Sequence, residues 1–153
     1  MDTGVYHVAA DGKKAPQRVS KKGFNPHFNA DASRVYFSTK TGELGTELLL
    51  NSVNLNGHDH REHLQGKKTT QFRVSPDGRW VAFTENFKTY LAPFFSSGKT
   101  ITISGKTTEF SVAQVAARSA EFLHWSADSQ SLDWSHGRYL YSRDLNQAFA
   151  FLQ

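Results

Sequence analysis

Seven histidines and no cysteine limit the metal and nucleophile chemistry open to this chain. Three of the histidines crowd into His58-Asp59-His60-Arg61-Glu62-His63, its densest run of metal-capable groups. Structural zinc takes four ligands in closed geometry, and catalytic zinc takes three with one position open. The run follows a turn at Asn54-Leu55-Asn56-Gly57 and leads into a strand, so it reads as a solvated hairpin flank. His58, His60 and His63 are the metal candidates within it, but no metal and no cofactor is expected. A second set is positional: His27, Arg73 and His124 hold the same slot in three copies of one phrase. Such a column lining a channel would suit an anion or a carboxylate-bearing partner. The plainer reading is that these groups bond to neighbouring backbone or to carboxylates of adjacent units. No Gly-x-Ser-x-Gly occurs. Ser97-Gly98-Lys99-Thr100 resembles the end of a phosphate loop, but Pro93 stands where that loop needs glycine. No catalytic residue is assigned.

These residues must be positioned by a repeat. The copies are Phe24-Asn25-Pro26-His27-Phe28-Asn29-Ala30-Asp31-Ala32, Gln71-Phe72-Arg73-Val74-Ser75-Pro76-Asp77-Gly78 and Phe122-Leu123-His124-Trp125-Ser126-Ala127-Asp128-Ser129. Their aspartates lie 46 and 51 residues apart, the spacing of a four-stranded propeller blade. Each copy reads as strand, tight turn, strand. Pro26/Phe28, Phe72/Val74 and Leu123/Trp125 alternate at the strand period. Turns are expected at Asp11-Gly12, Asp31-Ala32, Asn56-Gly57, Asp77-Gly78 and Asp128-Ser129. Asp31, Asp77 and Asp128 are turn residues in this reading, and Trp80, Trp125 and Trp134 pack in the core. Third strands are expected at 4–8, 47–53, 87–94 and 138–142. Fourth strands are expected at 17–20, 61–65, 113–117 and 148–152. The Ala-rich stretch 111–120 has helical composition, but the repeat register makes it an outer strand.

The bulk numbers agree with a globular β-rich chain of 153 residues, 38% hydrophobic, with 12 Phe. No apolar run approaches the roughly 20 residues that span a bilayer. The first residues carry no basic start and no apolar stretch, so no signal peptide is read there. The net charge of +4 comes from scattered Lys and Arg, not from a basic stripe with stacking aromatics, so no nucleic acid is expected.

The stretch Val74-Ser75-Pro76-Asp77-Gly78-Arg79-Trp80-Val81-Ala82-Phe83-Thr84-Glu85 resembles the repeat of TolB-like, WD-repeat-like β-propellers. Arg73–Glu85, Tyr90–Phe94 and Leu123–Ser126 are similar to the propeller that precedes the metal-dependent amidohydrolase domain in bacterial two-part hydrolases. Related propellers also cap prolyl-oligopeptidase-like enzymes. The resemblance implies an extracytoplasmic, periplasmic setting. It implies a catalytic domain, if there is one, outside this chain.

The expected fold is therefore all-β: a partial β-propeller of about three four-stranded antiparallel blades, preceded by two strands of another. The divisions are 1–20 for the trailing strands and 21–66, 67–118 and 119–153 for the blades. The expected function is a non-catalytic protein-interaction or substrate-gating module, a fragment of a larger protein. The alternative is an accessory domain of an amidohydrolase or prolyl-oligopeptidase-like hydrolase. The expected partner is a second copy completing the ring as a homodimer, the rest of a longer chain, or a protein or peptide, with no membrane span.

Overall fold

Alternation of apolar and polar residues between Asp/Asn-Gly turns yields sheets that are antiparallel except at one two-residue strand. The computed structural model describes residues 2–150. It opens with a two-stranded sheet, β1 (Val5–His7) and β2 (Gln17–Ser20). Blade 1 follows with β3 (Phe24–Phe28), β4 (Arg34–Thr41), β5 (Glu47–Asn54) and β6 (Arg61–Gly66). Blade 2 has β7 (Thr69–Val74), β8 (Trp80–Glu85) and β9 (Lys88–Pro93). Before its fourth strand the chain makes β10 (Ile101–Thr102), which pairs in parallel with β6 and gives blade 1 a fifth strand. It then returns as β11 (Ala113–Ala116), antiparallel to β9. Blade 3 consists of β12 (Glu121–Trp125), β13 (Ser131–His136) and β14 (Tyr139–Asp144). The molecule is an all-β partial propeller, with the Ala-rich stretch in the outer strand that the repeat register requires.

One expectation fails at the end of blade 3. Instead of a fourth strand from 148, residues Leu145–Ala148 form a single helical turn, α1. The physical reason is local. Asp144 caps that turn, its carboxylate accepting from Asn146 N–H at 2.8 Å. Leu145 and Phe149 are then buried in the neighbouring seam. Residues 151 and 152 of that expected strand lie outside the described residues.

All five expected turns place their last residue at positive φ: Gly12 67°, Ala32 53°, Gly57 76°, Gly78 72° and Ser129 61°. The three motif turns share one hydrogen-bond network. Ser75 Oγ accepts from Trp80 N–H at 3.0 Å, and the Asp77 carboxylate accepts from Arg79 N–H at 3.0 Å. In blade 3, Ser126 Oγ accepts from Ser131 N–H and Asp128 from Gln130 N–H, both at 3.0 Å. In blade 1, Asn29 Oδ1 replaces the serine hydroxyl and accepts from Arg34 N–H at 2.9 Å, while Asp31 accepts from Ser33 N–H at 3.1 Å. The Ser33 and Ser126 hydroxyls, aided by these backbone bonds, hold the Asp31 and Asp128 carboxyls below the usual carboxylate range.

The core lies in the seams between blades. Phe37, Phe83 and Trp134 occupy one equivalent position, and each is buried against the preceding unit. Phe37 meets Val5 and Val19 of β1–β2, Phe83 meets Leu50 and Leu64 of blade 1, and Trp134 meets Ala82 and Leu91 of blade 2. The turns also bond across the seams. Ala30 N–H donates to the Pro76 carbonyl at 2.9 Å, and Asp77 N–H donates to Ser129 Oγ at 3.0 Å.

Candidate functional site

The His27, Arg73, His124 column lies on the blade faces, not on a channel wall. First-strand side chains alternate between the two faces of a blade. The apolar pair points back to the preceding blade, and the column points forward to the next. His27 Nε2 receives the Val74 N–H of blade 2 at 3.0 Å. A backbone amide only donates, so the ring is neutral and its proton sits on Nδ1, facing the Asn25 carbonyl at 3.2 Å. The ring also stacks on Tyr36 at 5.6 Å. Burial lowers the His27 pKa to about 4, with the nearby Arg73 charge adding to the effect.

Arg73 lies in the next seam, where its carbonyl accepts Trp125 Nε1–H at 2.9 Å. Its buried Nε has no partner among the described residues. His124 has no following blade to meet among the described residues and is exposed. Its Nδ1–H donates to the Phe122 carbonyl at 2.7 Å, and its Nε2 lies 3.8 Å from Asp133. His27 and His124 thus each bond the carbonyl two residues back, at a bulge whose residue has positive φ: Asn25 at 52° and Phe122 at 53°. The column shares one slot, but its members meet different surroundings.

The histidine run is likewise separated. His58 is exposed on the turn, its N–H bonded to Asn54 Oδ1 at 2.9 Å. His60 Nε2 bonds Asn51 Oδ1 at 2.8 Å. His63 is buried, packing against Tyr36 and Phe94 with ring centroids 5.6 and 5.2 Å away. Among the described residues no three His, Cys, Asp or Glu side chains come together as a metal-holding group.

His63 instead forms a pair that the spacing of the sequence did not suggest. Its Nε2 lies 2.6 Å from Ser52 Oγ, and Ser52 Oγ accepts Arg34 Nε–H at 2.8 Å. Arg34 in turn binds Asp59, which also pairs with Arg61 at 2.8 Å. Ser52 therefore has its own proton free for His63. A serine beside a neutral imidazole has the composition of a nucleophile–base pair. Here Ser52 is fully buried, while His63 borders a cavity of about 370 Å³ beside Glu62 and Lys99. Burial and the Arg34 and Arg61 charges lower the His63 pKa to about 4. The pair acts as a buried polar link between β5, β6 and β4.

The open surface is at blade 1. In blades 2 and 3 the apolar pair of the first strand is covered: Phe72 and Val74 are buried, and so is Leu123. In β3, Pro26 and Phe28 are exposed, Phe28 at 47%. A groove of about 390 Å³ runs beside them, lined by His7, Val8, Ala15, Phe28 and Leu55. Nothing in the local sequence separates this pair from buried Phe72/Val74 or from Leu123/Trp125, of which Leu123 is buried and Trp125 half-buried. The difference comes from β1–β2, which covers only the outer half of that face.

No known family profile matches the chain, and no curated protein matches it. Among solved structures it is similar to dihydro-heme d1 dehydrogenase NirN in complex with DHE, at 16% identity and a TM-score of 0.38. The match covers 82% of this chain and 35% of that one, so this chain spans about a third of that protein's length. The propeller architecture is read from the sheets themselves.

Proposed function

We propose that the chain is a non-catalytic interaction module that binds a second copy of itself through the inner face of blade 1. The observation behind this reading is the exposed β3 pair. The repeat buries Phe72 with Val74, and Leu123, against a preceding blade, but leaves Pro26 with Phe28 bare. Val8, 56% exposed, lines the same groove as Phe28. Contiguous apolar surface of this kind marks an association site in a water-soluble β-protein. Covering it stabilises the complex by about 25 cal/mol per Å² before the entropy of association is subtracted. The outward face of blade 3 carries Phe122 and Leu140, 83% and 78% exposed, which supplies an apolar counterpart for a head-to-tail contact.

Light scattering at micromolar concentration tests this reading. The expected result is a dimer mass for the wild-type chain and a monomer mass for Phe28→Asp, with the β-sheet circular dichroism spectrum unchanged. A wild-type chain that is monomeric with a cooperative melt would overturn it.

A further inference from the structure

Blade 3 differs from its neighbours on its outer side. β6 pairs with β5 in blade 1, and β11 pairs with β9 in blade 2, each as a fourth strand. In blade 3 the third strand, β14, is the edge of its sheet among the described residues. The described residues do not fill the slot, because the Asp144 cap turns the chain into α1 and carries Leu145 and Phe149 into the seam.

The slot beside β14 has its own side-chain environment. A cleft of about 290 Å³ lies between β11 of blade 2 and β13–β14 of blade 3. Its apolar part comes from Val115, Ala116, Trp134 and Tyr141. The Trp134 and Tyr141 rings stack at 5.8 Å and 12°. Its polar part is cationic or neutral: Arg118, Arg143 and His136 line it, with no acidic side chain. Neither arginine has an ion pair or side-chain hydrogen bond among the described residues. His136 Nδ1–H donates to the Ser119 carbonyl at 3.0 Å, which leaves Nε2 open.

We infer that this edge binds an extended acidic peptide as a fourth strand. A strand laid beside β14 takes up the N–H and C=O groups that alternate along its free edge. Side chains alternate along a strand, so every second one of that strand points toward blade 2. One apolar side chain enters the cleft against Trp134 and Tyr141. The residues two before and two after it share its face, and carboxylates there meet Arg143 and Arg118. The ligand pattern is acidic-x-apolar-x-acidic, in extended conformation. The peptide site is the edge of β14 and its blade 2 side, whereas self-association uses the β3 face and the opposite side of blade 3, so Phe28→Asp tests self-association without altering the cleft.

The test uses the full chain and a fluorescein-labelled peptide, Gly-Glu-Thr-Val-Thr-Glu-Gly, followed by anisotropy and by amide hydrogen exchange. The expected result is saturable binding that weakens as salt is raised, with slower exchange at alternate amides of Tyr139–Asp144. Arg143→Glu and Arg118→Glu, both at exposed positions, should each weaken binding at least tenfold and leave the melt unchanged. A peptide with Lys in place of Glu should not bind. Three results would overturn the inference: no saturation at millimolar peptide, equal binding of the Lys peptide, or protection at β1 or β3 instead of β14.

Discussion

At the scale of single residues, two imidazoles tie stability to pH. His27 accepts an amide proton from the next blade, and His63 accepts the Ser52 hydroxyl. Both require an unprotonated Nε2, and both have a pKa lowered to about 4 from 6.5. Between those values the unfolded chain binds more protons than the folded one. Stability is therefore complete above about pH 6.5 and falls as the pH drops toward 4. Each ring contributes a slope of up to about 1.4 kcal/mol per pH unit. Urea titrations from pH 7 to 4 should show this fall, and His27→Gln should reduce the slope by about half. An unchanged slope in that variant would remove His27 from the account. The slot shared by His27, Arg73 and His124 was legible in the sequence, because the repeat aligns the three. Their partners were not, since these depend on which blade lies opposite. The Ser52–His63 pair was hidden for a similar reason: it forms across a strand pair whose bulge sets the register.

At the scale of elements, the motif turn is the most regular unit of the chain. Gly78, Ala32 and Ser129 occupy one left-handed position, and only the glycine adopts it without strain. An L-residue there costs roughly 1–2 kcal/mol, partly offset by the roughly 0.5–1 kcal/mol of extra unfolded-state entropy that glycine brings. Ala32→Gly should therefore stabilise the chain by about 0.5–1 kcal/mol, read as a rise in the urea midpoint at constant slope. Ser129→Gly should not, because Ser129 Oγ holds Asp77 N–H across the seam. These turns were readable because Asp, Asn and Gly act locally through backbone bonds. The departures from Ser-Pro-Asp-Gly in blade 1 are chemically small, since Asn29 Oδ1 makes the bond of the serine hydroxyl. The helical turn at Leu145–Ala148 was not readable. Its sequence suits a strand or a helix, and the choice rests on burial of Leu145 and Phe149 against blade 2.

At the scale of the molecule, units contact their neighbours in series, so stability should be greatest in the middle. β8 is buried on both faces, with Val81, Ala82 and Phe83 each at 0% exposure. β14 is exposed along nearly its whole length. Amide exchange should be slowest in β8 and fastest in β14 and β1. Equal protection in β8 and β14 would mean that blade 3 is covered in solution. The propeller period, the blade order and the outer position of β11 were all legible, because they repeat. β10 was not readable as part of blade 1, since two residues carry no period that assigns them to a sheet.

That small parallel strand bears on the order of folding. The chain leaves blade 2 unfinished, adds β10 to the outer edge of blade 1, and only then supplies β11. Ile103 N–H also bonds the Gln65 carbonyl at 2.9 Å, and buried Ile103 joins the core shared by both blades. Synthesis from the N-terminus therefore cannot complete the two blades one after the other. Blade 1 offers the edge on which β10 docks, and that docking shortens the loop that must close before β11 reaches β9. The two central blades form one kinetic unit, with the connection between them acting as its clasp.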